Sequence, residues 1–153
     1  MSEKVKELKV SAIENGTVID HIPAQALFQV IKMLKLDVFD KMVLFGTNLE
    51  SKKFGSKAII KVSNKYFQSE ELNKIALVAP HASIIEIKDF QVTRKTVVET
   101  PDDITAIVKC FNPNCITNIE VITTRFTVVD KEEIRLKCHY CEKITGRNNM
   151  VFK

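Results

Sequence analysis

Glycine and proline are sparse, with 4 of each in 153 residues, which excludes a low-complexity chain and leaves little room for disorder away from the termini. No apolar run is long enough to span a membrane. The N-terminus reads Met1-Ser2-Glu3-Lys4 with no apolar stretch behind it, so the expected compartment is the cytoplasm. Excess charge is missing as well. A net charge of +4 is too mild for general nucleic-acid binding, although local lysine clusters can still hold a small anion. No nucleophile elbow, glycine-rich phosphate loop or paired catalytic carboxylate is visible, which argues against an enzyme. What remains, at 45% apolar and 27% charged residues, is a soluble globular composition in a chain long enough to own a core.

Cysteine is also scarce, and its placement is informative. The 4 cysteines form two close pairs, Cys110 with Cys115 and Cys138 with Cys141, spaced like the halves of a zinc ribbon. Each pair can wrap two thiolates onto a tetrahedral ion from one tight loop. Asn112, Pro113 and Asn114 fill the first loop, and His139 and Tyr140 the second. Two disulfides are disfavoured in a reducing cytoplasm, and a redox pair at Cys138 and Cys141 leaves Cys110 and Cys115 unexplained. The expectation is one structural zinc ion. With all four ligands supplied by protein, no position is open for water or substrate.

Taken in order, residues 8–13 alternate apolar and polar and then meet Asn15-Gly16, a hairpin signal, so the pattern predicts strand, turn, strand with 17–22 as the return. Pro23 suits a first helical turn, and over 24–36 the residues Ala24, Leu27, Phe28, Ile31 and Leu34 make one helical stripe. Residues 42–45 read as a short buried strand and 46–55 as a polar loop. Over 57–62, Ala58, Ile60 and Val62 face the core while Lys57, Ile59 and Lys61 share the other face. Like charges on one face are unfavourable unless an anion joins them, the plain alternative being two solvated lysines at a sheet edge.

Ser69 is the expected cap of a second helix with Leu72, Ile75, Ala76 and Ala79 as its stripe, stopped by Pro80. Residues 83–90 and 91–98 read as strand. The order is that of a ferredoxin-like α+β domain, an antiparallel sheet with two helices over residues 1–100. Residues 101–153 form the second domain, small, all-β and zinc-ribbon-like, with strands expected at 120–123, 126–129 and 134–137 and no helical period. About fifty residues with so few core aromatics call for a metal staple. Asp20 and His21 are adjacent, but neighbours in a strand point to opposite faces and make no acid/base pair.

Two stretches go beyond pattern. Gly16-Thr17-Val18-Ile19-Asp20-His21-Ile22-Pro23-Ala24, together with the two cysteine loops and Tyr140-Cys141-Glu142-Lys143, resembles the regulatory chain of aspartate carbamoyltransferase. The likeness runs over essentially the whole chain and includes Leu77, Ala79 and Pro80 and the lysine pair. It implies a non-catalytic subunit for allosteric control of pyrimidine biosynthesis. The N-terminal domain would bind nucleoside triphosphates, CTP and ATP with UTP as a further candidate. The zinc domain would grip the catalytic chain, and regulatory homodimers would bridge two catalytic trimers in a larger hetero-oligomer.

By the same resemblance the nucleotide would meet the backbone around Ala12 and Ile13, Val18, the Asp20 carboxylate and His21. Lys57, Lys61 and Lys95 would meet sugar and phosphate, and Ile87, Phe90 and Val92 base and ribose. Asn112, Asn114, Tyr140, Glu142 and Lys143 would contact the catalytic chain. The sequence departs from the family at Ile85, where an amide is common, at Phe90, which replaces a tyrosine-like residue, and at His139, which replaces a basic one. Strand parity leaves the face of Ile85 open. The alternative class is a stand-alone zinc ribbon binding nucleic acid, against which stands the lack of a clustered basic stripe in the zinc half. An enzyme on the same fold lacks a catalytic constellation.

Overall fold

A computed structural model of the chain describes residues 12–51 and 55–153. The first domain is a five-stranded antiparallel sheet of β1 (Gly16–Pro23), β2 (Val43–Ser51), β3 (Gly55–Ser63), β4 (Ser83–Lys88) and β5 (Gln91–Val97), in the order β2-β3-β1-β4-β5. Helices α1 (Leu27–Met33) and α2 (Ser69–Val78) cover one face. The first four strands make the split arrangement expected for a ferredoxin-like domain, with β5 added at one edge. Ile19, Ile22, Leu27, Val30, Ile60, Val62 and Ile75 are fully buried between sheet and helices. Each contributes roughly 1.5–3 kcal/mol by leaving water.

The second domain is a small sheet of β6 (Asp103–Thr105), β8 (Arg125–Asp130), β9 (Arg135–Cys138) and β10 (Ile144–Gly146). A two-stranded ribbon of β7 (Val108–Lys109) and β11 (Val151–Phe152) accompanies it. Its own core gathers Ile104, Val108, Phe126, Ile134 and Leu136 around three buried cysteines. Two residues join the cores: Leu77, at the end of α2, is buried in the second cluster, and Phe152 packs against both.

Several expectations change. Residues 8–11 of the proposed first strand lie outside the described residues, and Ala12 and Ile13 are not in a strand. Both edges of β1 are occupied, one by β3 and the other by β4. Phe28 leaves the helical stripe and is 66% exposed, meeting Phe45 edge to face at 5.8 Å, while Ala26 and Val30 take its place in the core. The strand at 42–45 is neither short nor buried. As β2 it runs to Ser51 along the sheet edge, where one side has no covering helix. Gln68, not Ser69, precedes α2, its amide donating to the Glu71 carboxylate at 3.0 Å. Residues 120–123 are not a strand, and a short helix, α3 (Ile116–Ile119), follows Cys115. The turn from β4 to β5 puts Asp89 and Phe90 at φ of 51° and 65°, the left-handed pair of a tight hairpin.

Gly16 opens β1 at a φ of 139°, and a Cβ there would stand 2.0 Å from the Val62 carbonyl oxygen. Gly16→Ala is therefore expected to destabilise the first domain by more than about 2 kcal/mol, read as a lowered denaturation midpoint. An unchanged midpoint would show that the start of β1 can shift to make room.

Candidate functional site

The cysteine centre is built by two turns. After β7, the chain turns through 111–115, where the Cys115 amide donates to the Asn112 carbonyl at 3.0 Å and the Asn114 amide to the Asn112 side chain at 3.1 Å. At the end of β9, the Cys138 amide donates to the Lys143 carbonyl and the Glu142 amide to the Cys138 carbonyl, each at 3.0 Å, with Glu142 left-handed at φ 63°. The four sulfurs lie within 4.8 Å of one another, and Cys110–Cys141 and Cys115–Cys138 are each 3.7 Å apart. Sulfurs at about 2.3 Å from a tetrahedral zinc would be about 3.8 Å apart, whereas a disulfide needs about 2 Å. The donor set and spacing fit one structural zinc ion.

Electrostatics agree. Burial pushes the Cys110 thiol up to about 12, the neighbouring thiols adding to it and the Asn112 amide opposing, and burial raises Cys138 too. Burial also resists ionisation of Cys141, but Asn112, the Lys143 amide and the adjoining thiols bring it down to about 7. Reluctant thiols crowded together are what a dication relieves.

The second constellation covers the sheet face turned away from the helices. Across it, the register aligns Lys61, Val18, Ile85 and Lys95 in one row, and Gly16, Ile87 and Val92 in the next. Ile84 is in the helix-side core, so its neighbour Ile85 belongs to this open face. A bulge in β5 at Thr93 lets Val92 and Lys95 share the face although three positions separate them. At one end the β4–β5 turn is pinned by the Phe90 amide donating to the Glu14 carbonyl at 2.9 Å, next to buried Ile13 and exposed Ala12.

At the other end, the expected divergence of Asp20 and His21 fails. Pairing shifts between Ile19 and Ile22, and His21 adopts φ 60°, so the strand's alternation breaks there. Asp20 accepts from the His21 amide at 2.6 Å and pairs with Lys57 at 2.8 Å, while Nδ1 of His21 lies 3.3 Å from the Ser83 hydroxyl and 3.9 Å from Asp20. Burial resists ionisation of Asp20, but Lys57 and the His21 amide outweigh it and hold the carboxyl below its ordinary value. Burial lowers the Lys61 ammonium, with the Asp20 charge opposing. From Gly16 to Asp20 the face spans four residue steps, about 13 Å of strand.

The candidate contacts with a partner lie beside the sulfurs. Asn114, Glu142 and Lys143 are exposed, Tyr140 is 40% exposed and stacked edge-on against His139, and Asn112 is half-buried. Phe111 in the first loop is also exposed, as are Ile119 and Val121 at and after the end of α3.

Residues 8–99 match the family model described as aspartate carbamoyltransferase regulatory chain, allosteric domain, and residues 102–151 the one described as its metal binding domain. The chain belongs to the aspartate carbamoyltransferase regulatory chain family. A relative of that name from Bacteroides fragilis is 49% identical over 151 residues, covering 99% of each chain. Another from Thermococcus sibiricus is 50% identical over 149 residues, 97% of this chain and 98% of the relative. One from Pyrococcus abyssi is 52% identical over 139 residues, 90% and 91% of the two. As a regulatory chain it is non-catalytic, with an allosteric and a metal-binding domain. Among the described residues no helix is long and apolar enough to cross a membrane.

Two residues of this regulatory chain's sites carry no sequence signal. Asn118 donates from one amide to the Cys110 and Asn112 carbonyls at 2.8 and 2.7 Å, tying the first loop to α3. Ser83 is buried against His21, and only its pairing with Asp20 reveals it. Because ligation must strip protons from the thiols, zinc uptake is expected to release protons and its affinity to rise with pH, from about 7 where Cys141 loses its proton toward about 12 where Cys110 does. Asn118→Ala is expected to lower zinc affinity by about tenfold or more, measured by chelator competition. Equal affinity would make Asn118 a loop support alone.

Proposed function

We propose that this chain is the allosteric subunit of an aspartate carbamoyltransferase assembly. Residues 1–100 form the effector domain, which takes a nucleoside triphosphate, CTP or ATP with UTP as a third candidate, on the open sheet face. Residues 101–153 form the zinc domain that docks onto catalytic chains. The observation that carries this reading is the row Lys61-Val18-Ile85-Lys95, flanked by a charged end at Asp20, His21, Lys57 and Ser83 and an apolar end at Phe90, Ile87 and Val92. A triphosphate has the same polarity. Lys57, Lys61 and Lys95 serve its sugar and phosphates with Asp20 near the ribose, and Ile87, Phe90 and Val92 serve base and ribose beside the backbone near Ala12 and Ile13.

The zinc supports assembly by fixing two loops that present Asn112, Asn114, Tyr140, Glu142 and Lys143 as one rigid surface. A regulatory homodimer is supported by an apolar patch at the β2 edge, where Phe28, Val38, Met42 and Phe45 are all about half exposed or more. Four unbridged cysteines suit a reducing cytoplasm.

Charge-assisted contacts to phosphate contribute roughly 1.5–3 kcal/mol each, so Lys61→Ala is expected to weaken triphosphate binding by about tenfold or more with zinc content unchanged. Calorimetry giving equal affinity would return the lysine row to ordinary surface charge. Ile85 offers the base only apolar contact, whereas an amide donates and accepts. Ile85→Asn is expected to sharpen discrimination between CTP and UTP by roughly 0.5–1.5 kcal/mol with little change in melting temperature. Phe45→Glu is expected to split the regulatory dimer in sedimentation while leaving effector affinity intact, and a persisting dimer would move the contact elsewhere.

A further inference from the structure

A hollow of about 380 Å³ lies at the seam of the two domains, lined by no residue of the open sheet face and by none of the four cysteines. Its apolar wall is Met33 at the end of α1, with Met150 and Phe152 from the second domain's last segment. Lys32, Lys35, Lys74 and Lys153 also line it, and among the described residues no aspartate or glutamate does. Lys32 has Asp37 at 3.6 Å, an exposed pair, whereas Lys35, Lys74 and Lys153 have no carboxylate partner among the described residues. The carbonyl end of α1 accounts for Lys32, but not for Lys74 or Lys153, which other elements bring in. Lysines from several parts of the chain around one concavity, with no acidic side chain among its described lining residues, bias its potential positive.

The volume falls within the range of about 300–1,000 Å³ usual for small-molecule sites. We propose that this seam is a second ligand site, for a small organic phosphate monoester. Its apolar body lies on Met33, Met150 and Phe152, and its phosphate among the lysines. The site shares no residue with the effector face, so it stands whether or not that face binds a triphosphate. A ligand held from both sides stabilises the arrangement of domains that forms the hollow.

Methionine methyl groups report on it directly. The chain has 4 methionines, of which Met33 and Met150 line the hollow and Met42 lies outside it. Phenyl phosphate titrated into the zinc-loaded, full-length protein labelled with carbon-13 at methionine methyls is expected to shift Met33 and Met150 saturably and leave Met42 in place. Phenol and inorganic phosphate, each carrying half of the chemistry, are expected to bind at least about tenfold more weakly. The double variant Lys35→Glu with Lys74→Glu is expected to lose about tenfold or more in affinity at unchanged zinc content. An unsaturable shift, an equal shift at Met42, phenol binding as tightly as its phosphate, or full affinity in the double variant would each overturn the proposal. The phenol comparison holds on the unaltered protein even if the double variant fails to fold.

Discussion

A strand paired on both edges cannot move without taking its neighbours along, and β1 is such a strand. Its inner face supplies Ile19 and Ile22 to the core, and its outer face supplies Val18 and Asp20 to the open surface. The irregularity before Ile22 serves both. It returns Ile22 to the core and at the same time turns Asp20 and His21 into one polar cluster with Lys57 and Ser83. A left-handed residue other than glycine costs of order 1–3 kcal/mol, and the short bond from the His21 amide to Asp20 offsets part of it. Strain, burial and charge therefore meet at one point of the central strand.

The second domain rests on a different constraint. Its sheet is short and its core small, so the four sulfurs stand where a larger protein would have more apolar side chains. Because both loops are defined by backbone bonds to Asn112, Cys138 and their neighbours, a metal there fixes backbone and not merely side chains. Leu77 carries that rigidity back into the first domain, since it ends a helix of one core while buried in the other.

Much of this was legible in the residues. Spacing alone located the four sulfurs, since ligand pairs must be close in sequence to close a tight loop. The alternation of Ala58, Ile60 and Val62 located the inner face of β3, because a strand repeats every two residues. What failed to show were departures from periodicity. The turn signal at Asn15-Gly16 does precede β1, but a turn motif cannot report that both edges of the following strand are taken. Phe28 fits a helical stripe by count, yet the helix begins as a 3-10 turn over Ala24–Ala26, which rotates the buried side toward Val30. Four residues in α3 are too few for a period to appear.

The bulge at Thr93 ties the function of β5 to its length. Val92 and Lys95 face the same way only because one extra residue sits between the positions that pair with Ile87 and Glu86. Removing that residue would leave a strand of the same composition, still able to pair along β4, but with Val92 and Lys95 turned to opposite sides. Aligning such strands by chemical similarity alone would therefore mismatch the residues that share a surface. In β5 the count of residues carries as much information as their identity.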